Sequence, residues 1–316
     1  MPRKRKARKI LVSGLINIET TLKIEGFPLE YSPVRYPFGG IASSVSGVGL
    51  NVALALSGLG DRVSLLSILG KDLEAEIALG SLSQKGLETQ GILRDMPETA
   101  RSVILYESSG RRQINVDLKD LQERRYPKEK FAEAIGDSAA AILCNINWNR
   151  DLLSEAKSRG LTVISDVHTL SDPLDAYNCD FMAAADLLFL SDERLWTSPA
   201  EAARELLSLY GMRLVIVGMG AHGALLAERG LPAVEVPAVT TRPLVSTIGS
   251  GDALLSAFSH FWLGDGKAEE ALRRAVTFAS WKIGEVRASA GFLDEEELMT
   301  LHDSTPSPSH RTLPQG

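Results

Sequence analysis

Short apolar segments alternate with longer stretches of helical periodicity along most of this chain, and this alternation restricts the fold more than any other feature. The apolar segments predict strands at Ile10–Gly14, Val63–Leu69, Ala140–Cys144, Thr162–Ser165, Leu187–Leu190 and Leu214–Val217. The helical stretches are Leu50–Leu59, Leu73–Lys85, Asp151–Ser158, Pro199–Leu209 and Asp252–Leu263. Strands that are apolar on both faces and alternate with helices are typical of a covered parallel sheet. We therefore predict an α/β fold, a doubly wound and mostly parallel sheet with helices on both faces.

Two stretches depart from this rhythm and predict a second, smaller sheet. Thr20–Pro37 and Thr99–Val116 alternate polar and apolar residues, as half-buried strands do. Within the second stretch, Ser108-Ser109-Gly110 separates two strand-like halves and predicts a hairpin. Extended segments inserted into a doubly wound domain would form a small β lid, built from about residues 20–45 and 99–117.

Both ends of the chain differ from the predicted domain, which spans residues 10–303. Six of residues 1–9 are Lys or Arg, and we interpret them as a solvated basic leader; a nuclear address or a nucleic-acid arm is the alternative. No apolar segment follows that would make it a secretory signal. Residues 304–316 contain three prolines and little to bury, which predicts a disordered tail.

The composition excludes several classes of protein. With 34 Lys and Arg against 40 Asp and Glu, the net charge is −6, which argues against a surface that binds nucleic acid. No apolar run approaches the roughly 18 residues of a membrane span, so we expect neither a nucleic acid nor a membrane as partner. Cys144 and Cys179 are the only cysteines. They are too few for a disulfide framework, so a reducing, cytoplasmic location is predicted.

The densest chemical signal is the run Ser246-Thr247-Ile248-Gly249-Ser250-Gly251-Asp252, which leads directly into a helical segment. Glycine permits close backbone approach, and the unpaired amides at a helix N-terminus bind anions. Asp252, at the rim of such an anion hole, would serve as a base for a hydroxyl that attacks the anion. The alternative is that Asp252 only stabilises the helix terminus electrostatically, and the residues alone do not decide between the two.

The sequence contains two further glycine clusters. Gly39-Gly40, followed by Gly47-Val48-Gly49-Leu50-Asn51, again leads into a helix, and loop packing is the alternative interpretation. Gly218-Met219-Gly220-Ala221-His222-Gly223 matches the dinucleotide pattern G-x-G-x-x-G after a strand. The segment that follows is short and reads as a second strand, so we favour a glycine turn between two strands that contacts a nucleotide.

Together, these clusters and their order resemble the PfkB (ribokinase-like) family of carbohydrate and nucleoside kinases, over about residues 9 to 300. Gly249-Ser250-Gly251-Asp252 is similar to the family's G-A-G-D signature. The second match is Gly39-Gly40 with Gly47-x-Gly49-x-Asn51. Supporting matches are Gly14–Glu19, Gly70–Asp72 and Val215–Ala224. The last of these explains the dinucleotide-like pattern.

The resemblance implies transfer of the γ-phosphate of ATP to a hydroxymethyl group, with Mg²⁺ and often a monovalent cation such as K⁺. Asp252 would be the base, and the amides of Gly249, Ser250 and Gly251 would stabilise the transferring phosphoryl group. The implied substrate-binding residues are Asn17, Glu19, Gly39, Gly40 and Asn51. The implied nucleotide-binding residues are Gly218, Gly220, Gly223, Ser246 and Thr247. Pairing of lids between subunits would give a homodimer.

The chain departs from the family pattern at four positions. Glu19 replaces the usual Asp, Ser246 replaces the Asp that opens the signature run, and Gly218 replaces a Thr. The N-x-x-E motif that organises Mg²⁺ reads Ser191–Arg194 here, so Asp192 and Glu193 are the substitute metal ligands that we predict. A catalytically degenerate protein that binds a sugar or nucleotide is therefore an alternative. A dehydrogenase built on the glycine run at 218–223 is another.

The acceptor is predicted to be a free sugar or a nucleoside. In phosphosugar kinases of this family, the glycine turn commonly reads G-G-K-G-x-N, and its lysine meets the phosphate of the substrate. Here Val48 stands in place of that lysine, and a phosphate beside it would lack a paired charge. Arg35 on the predicted lid could supply the charge instead, so a phosphosugar kinase remains the alternative.

Overall fold

The computed structural model describes residues 7–306 and 311–312 and contains two β-sheets. The strands are β1 (Lys9–Ser13), β2 (Asn17–Lys23), β3 (Ile41–Ser46), β4 (Arg62–Gly70), β5 (Ile92–Met96), β6 (Arg101–Tyr106), β7 (Arg112–Asp117), β8 (Ala140–Leu143), β9 (Thr162–Thr169), β10 (Leu187–Ser191), β11 (Leu214–Gly218), β12 (Ala224–Glu228), β13 (Val234–Val236) and β14 (Arg311–Thr312). The helices are α1 (Val48–Gly58), α2 (Leu73–Gln84), α3 (Lys128–Ile135), α4 (Arg150–Ser158), α5 (Cys179–Ala184), α6 (Pro199–Tyr210), α7 (Ser250–Asp265), α8 (Ala268–Lys282) and α9 (Glu295–Ser304).

The large sheet has the strand order β14-β13-β12-β11-β10-β9-β8-β1-β4-β5. The strands β11, β10, β9, β8, β1, β4 and β5 pair in parallel with their neighbours. β12, β13 and β14 extend the sheet in antiparallel fashion. The chain leaves β1 for β4 on one side and later returns to β8 on the other. Ligands in such sheets bind at this point of reversal, beyond the carboxyl ends of the strands. The predicted fold class is confirmed.

Helices cover both faces of the large sheet, and each face has its own hydrophobic core. Along β1, the side chains of Ile10 and Val12 join the core beneath α1, α2, α7, α8 and α9. Leu11, which points the other way, joins the core beneath α3, α4, α5 and α6. Alternate side chains of a strand point to opposite faces, which is why every residue of such a strand has to be apolar.

The small sheet has the order β3-β2-β6-β7 and corresponds to the predicted lid. Strands β6 and β7 form the hairpin that Ser108-Ser109-Gly110 predicts, and Gly110 has a positive φ of 91°. β2 pairs in antiparallel fashion with β3 and in parallel with β6. β2 follows β1 after three residues, so the lid begins beside the carboxyl edge of the large sheet.

Near the two ends, the structure differs from the predicted boundaries. Lys9 is already part of β1, and Arg8 forms a 3.2 Å ion pair with Asp61, so the last residues of the predicted leader belong to the domain. Within the predicted tail, Ser304 ends α9 and Arg311–Thr312 pair with β13. Residues 1–6, 307–310 and 313–316 of the predicted leader and tail lie outside the described ranges. Among the described residues, no helix is long and apolar enough to cross a membrane.

The glycine run at residues 218–223 joins β11 to the antiparallel strand β12 through a single 3₁₀ turn. A dinucleotide fingerprint instead opens an α-helix that leads to a parallel strand. Gly223 is required for packing, because a Cβ there would lie 2.1 Å from the carbonyl oxygen of Val236. The prediction of a turn between two strands is confirmed, and the run is not a Rossmann motif.

Candidate active site

Asp252 lies in the first turn of α7, at the carboxyl edge of the large sheet. Its side chain is 8% exposed, and one of its oxygens accepts a 2.7 Å hydrogen bond from Nδ2 of Asn51 at the start of α1. Burial raises the pKa of Asp252 to about 6, and the nearby charge of Asp166 acts in the same direction. A carboxylate with such a pKa is ionised at neutral pH and is still basic enough to accept a proton.

The N-terminus of α7 presents backbone amides rather than a side-chain cap. Gly249 precedes the helix with a φ of 77°, and no side chain caps this end. The amide of Ser250 donates a 3.3 Å bond to the carbonyl of Thr247. The amides of Gly249, Gly251 and Asp252 have no acceptor within the described part of the chain. These donors, together with the helix dipole, can bind an anion beside the Asp252 carboxylate.

Three polar side chains from β2, β3 and α1 form a buried network next to Asp252. The Ser46 hydroxyl lies 3.1 Å from Oε2 of Glu19 and 3.3 Å from Oδ1 of Asn51. Burial raises the pKa of Glu19, the bond from Ser46 opposes this shift, and the charge of Asp252 reinforces it. Asn17, two residues before Glu19 in β2, donates a 2.9 Å hydrogen bond to the Ser102 hydroxyl. The predicted residues Asn17, Glu19, Asn51 and Asp252 therefore do come together.

Two of these side chains carry buried oxygens that have no partner. Oδ1 of Asn17 and Oε1 of Glu19 are shielded from solvent and accept no hydrogen bond from any described residue. A buried polar atom without a partner is costly, so each one calls for an explanation. Two acceptors at one site suit a ligand that brings hydroxyl donors.

Close packing explains two glycines of the second cluster. A Cβ at Gly49 would lie 2.5 Å from the carbonyl carbon of Gly14, and one at Gly47 would lie 2.4 Å from the carbonyl oxygen of Leu15. The N-terminus of α1 therefore approaches the end of β1 more closely than any larger residue allows. This contact fixes Asn51 opposite Asp252.

Gly39 and Gly40, by contrast, do not reach this network. The carbonyl of Gly40 accepts a 2.8 Å bond from the amide of Lys23, at the far end of β2 from Asn17. Six residues of extended strand separate Lys23 from Asn17, which is about 20 Å. The structure thus places these two glycines at the tip of the lid, where they shape a turn. They were grouped with Gly47 because they are near in sequence.

The predicted nucleotide-binding and metal-binding residues lie along the same edge of the sheet. Asp192 follows β10, and its amide donates a 2.9 Å bond to the carbonyl of Gly218 at the end of β11. Burial raises the pKa of Asp192, as does the charge of Glu193. Gly220 has a positive φ of 53°, and Ser246 is buried with its hydroxyl 3.2 Å from the amide of Ile248.

The hairpin of the lid reaches the turn before α7. The Thr247 hydroxyl donates a 3.0 Å bond to the carbonyl of Gly110 and accepts a 3.0 Å bond from Arg112. Arg112 also lies 3.8 Å from the exposed carboxylate of Glu193. The lid hairpin therefore contacts the turn before α7, and it places the cation Arg112 beside Thr247. Neither Arg112 nor this contact was predicted from the sequence.

Three other residues of the site were missed. Ser46 immediately precedes the glycine turn, and Asp166 lies one residue beyond the predicted strand Thr162–Ser165; an acid directly after an apolar strand is a signal that could have found it. Lys282, the last residue of α8, is 1% exposed and close enough to Asp252 and Glu19 to lower the pKa of each carboxyl. Its position at the end of an amphipathic helix does not predict from sequence that it is buried.

The fold and this site define a class of protein. A buried carboxylate beside open helix amides, at the switch point of a doubly wound sheet with a β lid, fits a small-molecule phosphotransferase. A family model described as pfkB family carbohydrate kinase matches residues 7–295. The chain belongs to this family. It is a carbohydrate kinase, an enzyme that transfers a phosphoryl group from ATP to a sugar hydroxyl.

Individual relatives agree with this assignment. The chain is 27% identical over 293 residues to an acarbose 7(IV)-phosphotransferase of Actinoplanes sp., covering 92% of this chain and 97% of that protein. It is 26% identical to an ATP-dependent ribose-1-phosphate kinase of Halopiger xanaduensis, covering 84% and 89%. Among solved structures, the microbiome-derived acarbose kinase Mak1 is similar in fold, with a TM-score of 0.84, 24% identity and coverage of 95% and 100%.

Proposed function

We propose that this kinase phosphorylates a hydroxymethyl group of an uncharged acceptor, a free sugar or a nucleoside, and that Asp252 is its general base. The observation that carries the proposal is the buried Asp252 carboxylate, held by Asn51 and flanked by the open amides of α7. Asp252 removes the proton as the acceptor hydroxyl attacks the γ-phosphorus of ATP, and the bond from that phosphorus to the β,γ-bridging oxygen breaks to release ADP. The amides of the α7 N-terminus, among them those of Gly249 and Gly251, stabilise the negative charge on the transferring group.

The unpaired oxygens of Asn17 and Glu19 support an acceptor rich in hydroxyl groups. A sugar hydroxyl donates one hydrogen bond, so it can satisfy each of these buried acceptors. A phosphate carries acceptors only and would meet the oxygens with repulsion. Val48, half-buried at the glycine turn, offers no cation to offset it. The alternative cation, Arg35, is exposed and donates to the carbonyl of Glu30.

The names of the relatives favour the same acceptor class without deciding it. The Actinoplanes relative and the Mak1 kinase are both named for acarbose. Acarbose carries no phosphate, so these names agree with an uncharged acceptor. The Halopiger relative is named for ribose-1-phosphate, which keeps a phosphosugar as the second candidate. The alternative of a degenerate, non-catalytic protein is not supported, because the chain belongs to a family of kinases and both Asp252 and the open amides of α7 are in place.

A substrate panel tests the acceptor class. Free sugars, acarbose, nucleosides and phosphosugars are compared by ADP release at fixed ATP. We expect the best uncharged acceptor to exceed every phosphosugar in kcat/KM by at least about tenfold, since a misplaced charge leaves the polar groups of the site unpaired. Val48→Lys is the matched variant and should raise kcat/KM for phosphosugars only. A phosphosugar that outperforms all uncharged acceptors on the wild-type enzyme would refute the proposal.

ATP and Mg²⁺ are the cofactors that the family implies, and the described residues fit them. The open amides of α7 and the cation Arg112 suit phosphate groups. No cluster of three or more candidate metal ligands occurs among the described residues. This donor set fits Mg²⁺ that is held chiefly by phosphates and water, with one or two carboxylates. We propose Asp192 and Glu193 for this role; when bound, the metal neutralises charge on the phosphates.

The metal assignment predicts a change in Mg²⁺ requirement. Replacing both Asp192 and Glu193 with alanine should raise the Mg²⁺ concentration for half-maximal turnover by about tenfold or more, because fewer carboxylates then attract the ion. The measurement is a Mg²⁺ titration at saturating ATP and acceptor. Asp180→Ala combined with Asp186→Ala, two acids away from the site, serves as the control. An unchanged titration in the double variant would place the metal elsewhere.

Three other expectations stay predictions. Stimulation by a monovalent cation such as K⁺, which the resemblance implies as a frequent family property, is one, and the cytoplasmic location inferred from two cysteines is another. The third is a homodimer formed through the lid. Ile114 and Val116 are about half exposed on the same face of β7, and they support the dimer because neighbouring exposed apolar residues favour a protein contact.

A further inference from the structure

Lys282 is a buried cation that the proposed mechanism does not use. It ends α8, and its side chain is 1% exposed. Its ammonium group donates one hydrogen bond, of 2.8 Å, to the backbone carbonyl of Arg287. An ammonium has three donors, and among the described residues no other acceptor lies within hydrogen-bond distance of it. Unlike most lysines, it is therefore shielded from solvent, and it forms no ion pair with a described carboxylate.

Charges of the active site surround this ammonium. The carboxylates of Glu285, Asp252 and Glu19 all favour its protonated form, and Arg242 opposes it. Burial nevertheless lowers the pKa of Lys282 to about 8, so the group is mostly charged at pH 7. The attraction is mutual, since the positive charge also lowers the pKa of both Glu19 and Asp252.

The segment that Lys282 holds, residues 283–291, packs directly behind the turn that precedes α7. The carbonyl of Ile283 accepts bonds from the amides of Val245 (2.8 Å) and Ser246 (3.0 Å). The backbone amide of Ala288 is close enough to Glu19 to lower the pKa of its carboxyl. Ala288 also lies so close to Gly249 that a Cβ there would be 3.1 Å from its Cα. This segment, which we call the backing loop, therefore touches both the anion-binding turn and the acceptor site.

A buried charge carries a large desolvation penalty, and an apolar side chain of similar length could fill the same space. Retention of a charge at this point is explained if the site needs one. The turn itself supplies no ionised ligand, because the Ser246 hydroxyl is neutral and already bonded to the amide of Ile248. Lys282, directly before the backing loop, instead brings a positive charge that acts on both buried carboxylates.

We propose that the Lys282 ammonium is a built-in cation that orders the backing loop and balances Glu19 and Asp252, so that turnover needs no added monovalent cation. Lys282 is a positioning residue, since it acts on the reacting groups through the loop and through its charge. The inference rests on the proposed function and replaces the K⁺ dependence predicted from the resemblance.

The test compares the wild-type enzyme with Lys282→Met and Lys282→Ala. Turnover with the best acceptor of the panel is measured in choline, sodium and potassium chloride at constant ionic strength. We expect wild-type kcat to be the same in all three salts within about twofold, and Lys282→Met to lose about 10²-fold in each, as misplaced active-site groups do. Lys282→Ala, which removes the charge and leaves space, should regain activity in potassium or ammonium chloride and not in choline chloride.

Lys85→Met is the matched control, because the Lys85 ammonium donates to the carbonyl of Ser289 in the same loop, at 3.1 Å, from an exposed position. Its activity should stay near wild type in every salt. A melting temperature of Lys282→Ala that rises with potassium but not with choline would support the inference without any acceptor. Wild-type stimulation by potassium of more than about fivefold, or full activity of Lys282→Met in choline chloride, would overturn it.

The same experiment separates this inference from the proposed function. Asp252→Asn should be inactive in all salts if Asp252 is the base. An active Asp252→Asn enzyme would refute the base, while the salt response of Lys282→Ala would still report on the built-in cation. If both Lys282 variants fail to fold, the wild-type salt comparison alone decides: cation independence supports the inference, and potassium stimulation contradicts it.

Discussion

Replacing Asp252 with asparagine should lower kcat by about 10²–10⁴-fold while ATP affinity changes little, because a general base contributes to the transition state far more than to ground-state binding. Asparagine has nearly the same shape and can still accept the 2.7 Å bond from Asn51. The loss would therefore report on the proton and not on packing. Steady-state kinetics with the best acceptor, together with a nucleotide titration by fluorescence, measure the two quantities separately.

The pH dependence of the wild-type enzyme provides an independent check on the same residue. The pKa of Asp252 is raised to about 6, so kcat/KM should fall as pH drops through 6, where the base becomes protonated. Asp166→Asn removes a negative charge that raises this pKa, and it should move the acid limb to lower pH. Asp265→Asn, at the other end of α7, should leave both rate and limb unchanged. An Asp252→Asn enzyme with more than about a tenth of wild-type kcat would make Asp252 a structural helix-cap residue.

The central part of the large sheet could be predicted from sequence because its parallel strands are buried on both faces and are mostly apolar. Ile10–Gly14 and Leu214–Val217 carry this signal directly, and both are strands. The segments that form β5 and α3 lack this apolar signal. In β5, the exposed residues Arg94 and Asp95 interrupt the apolar pattern. Such an edge strand looks like a loop when only apolar runs are sought.

The site could be predicted where one short motif supplies both the backbone and the reactive group. Asp252 and the amides before it come from consecutive residues, so their juxtaposition follows from the sequence. Gly39 and Gly40 show the limit of that approach. Gly39 and Gly40 lie only eight and seven residues before Gly47. Strand β3 nevertheless runs between these two glycines and Gly47, so that Gly39 and Gly40 lie at the lid tip.

Lys282 and Asp166 illustrate a second limit, because their role depends on tertiary contacts. Lys282 ends a helix whose exposed face is rich in charges, where a lysine normally remains in solvent. Only the fold of residues 283–291 over its side chain makes it a buried cation. Neither spacing nor composition contains this information, since 30 residues separate Lys282 from Asp252.

Replacing Gly251 with valine should abolish turnover without unfolding the protein. The positive φ of this turn belongs to Gly249, at 77°, and not to Gly251. Gly251 is the second residue of α7, and beyond its chain neighbours and its own helix backbone no described atom lies within 4 Å of a Cβ built there. Valine has a slightly higher helix propensity than glycine, so we expect the melting temperature to stay within a few degrees of wild type.

The effect on catalysis should be large because the new side chain would stand beside the amides that face the phosphate. Loss of one such donor typically costs about 10²–10³-fold in kcat, and a branched side chain obstructs several at once. Gly80→Val is the matched control: it is also an exposed helical glycine, in α2, with no atom within 4 Å of a Cβ. It should match Gly251→Val in stability and retain full activity. A folded Gly251→Val enzyme with wild-type turnover would show that the phosphoryl group passes elsewhere, and the anion-binding role of the α7 N-terminus would have to be abandoned.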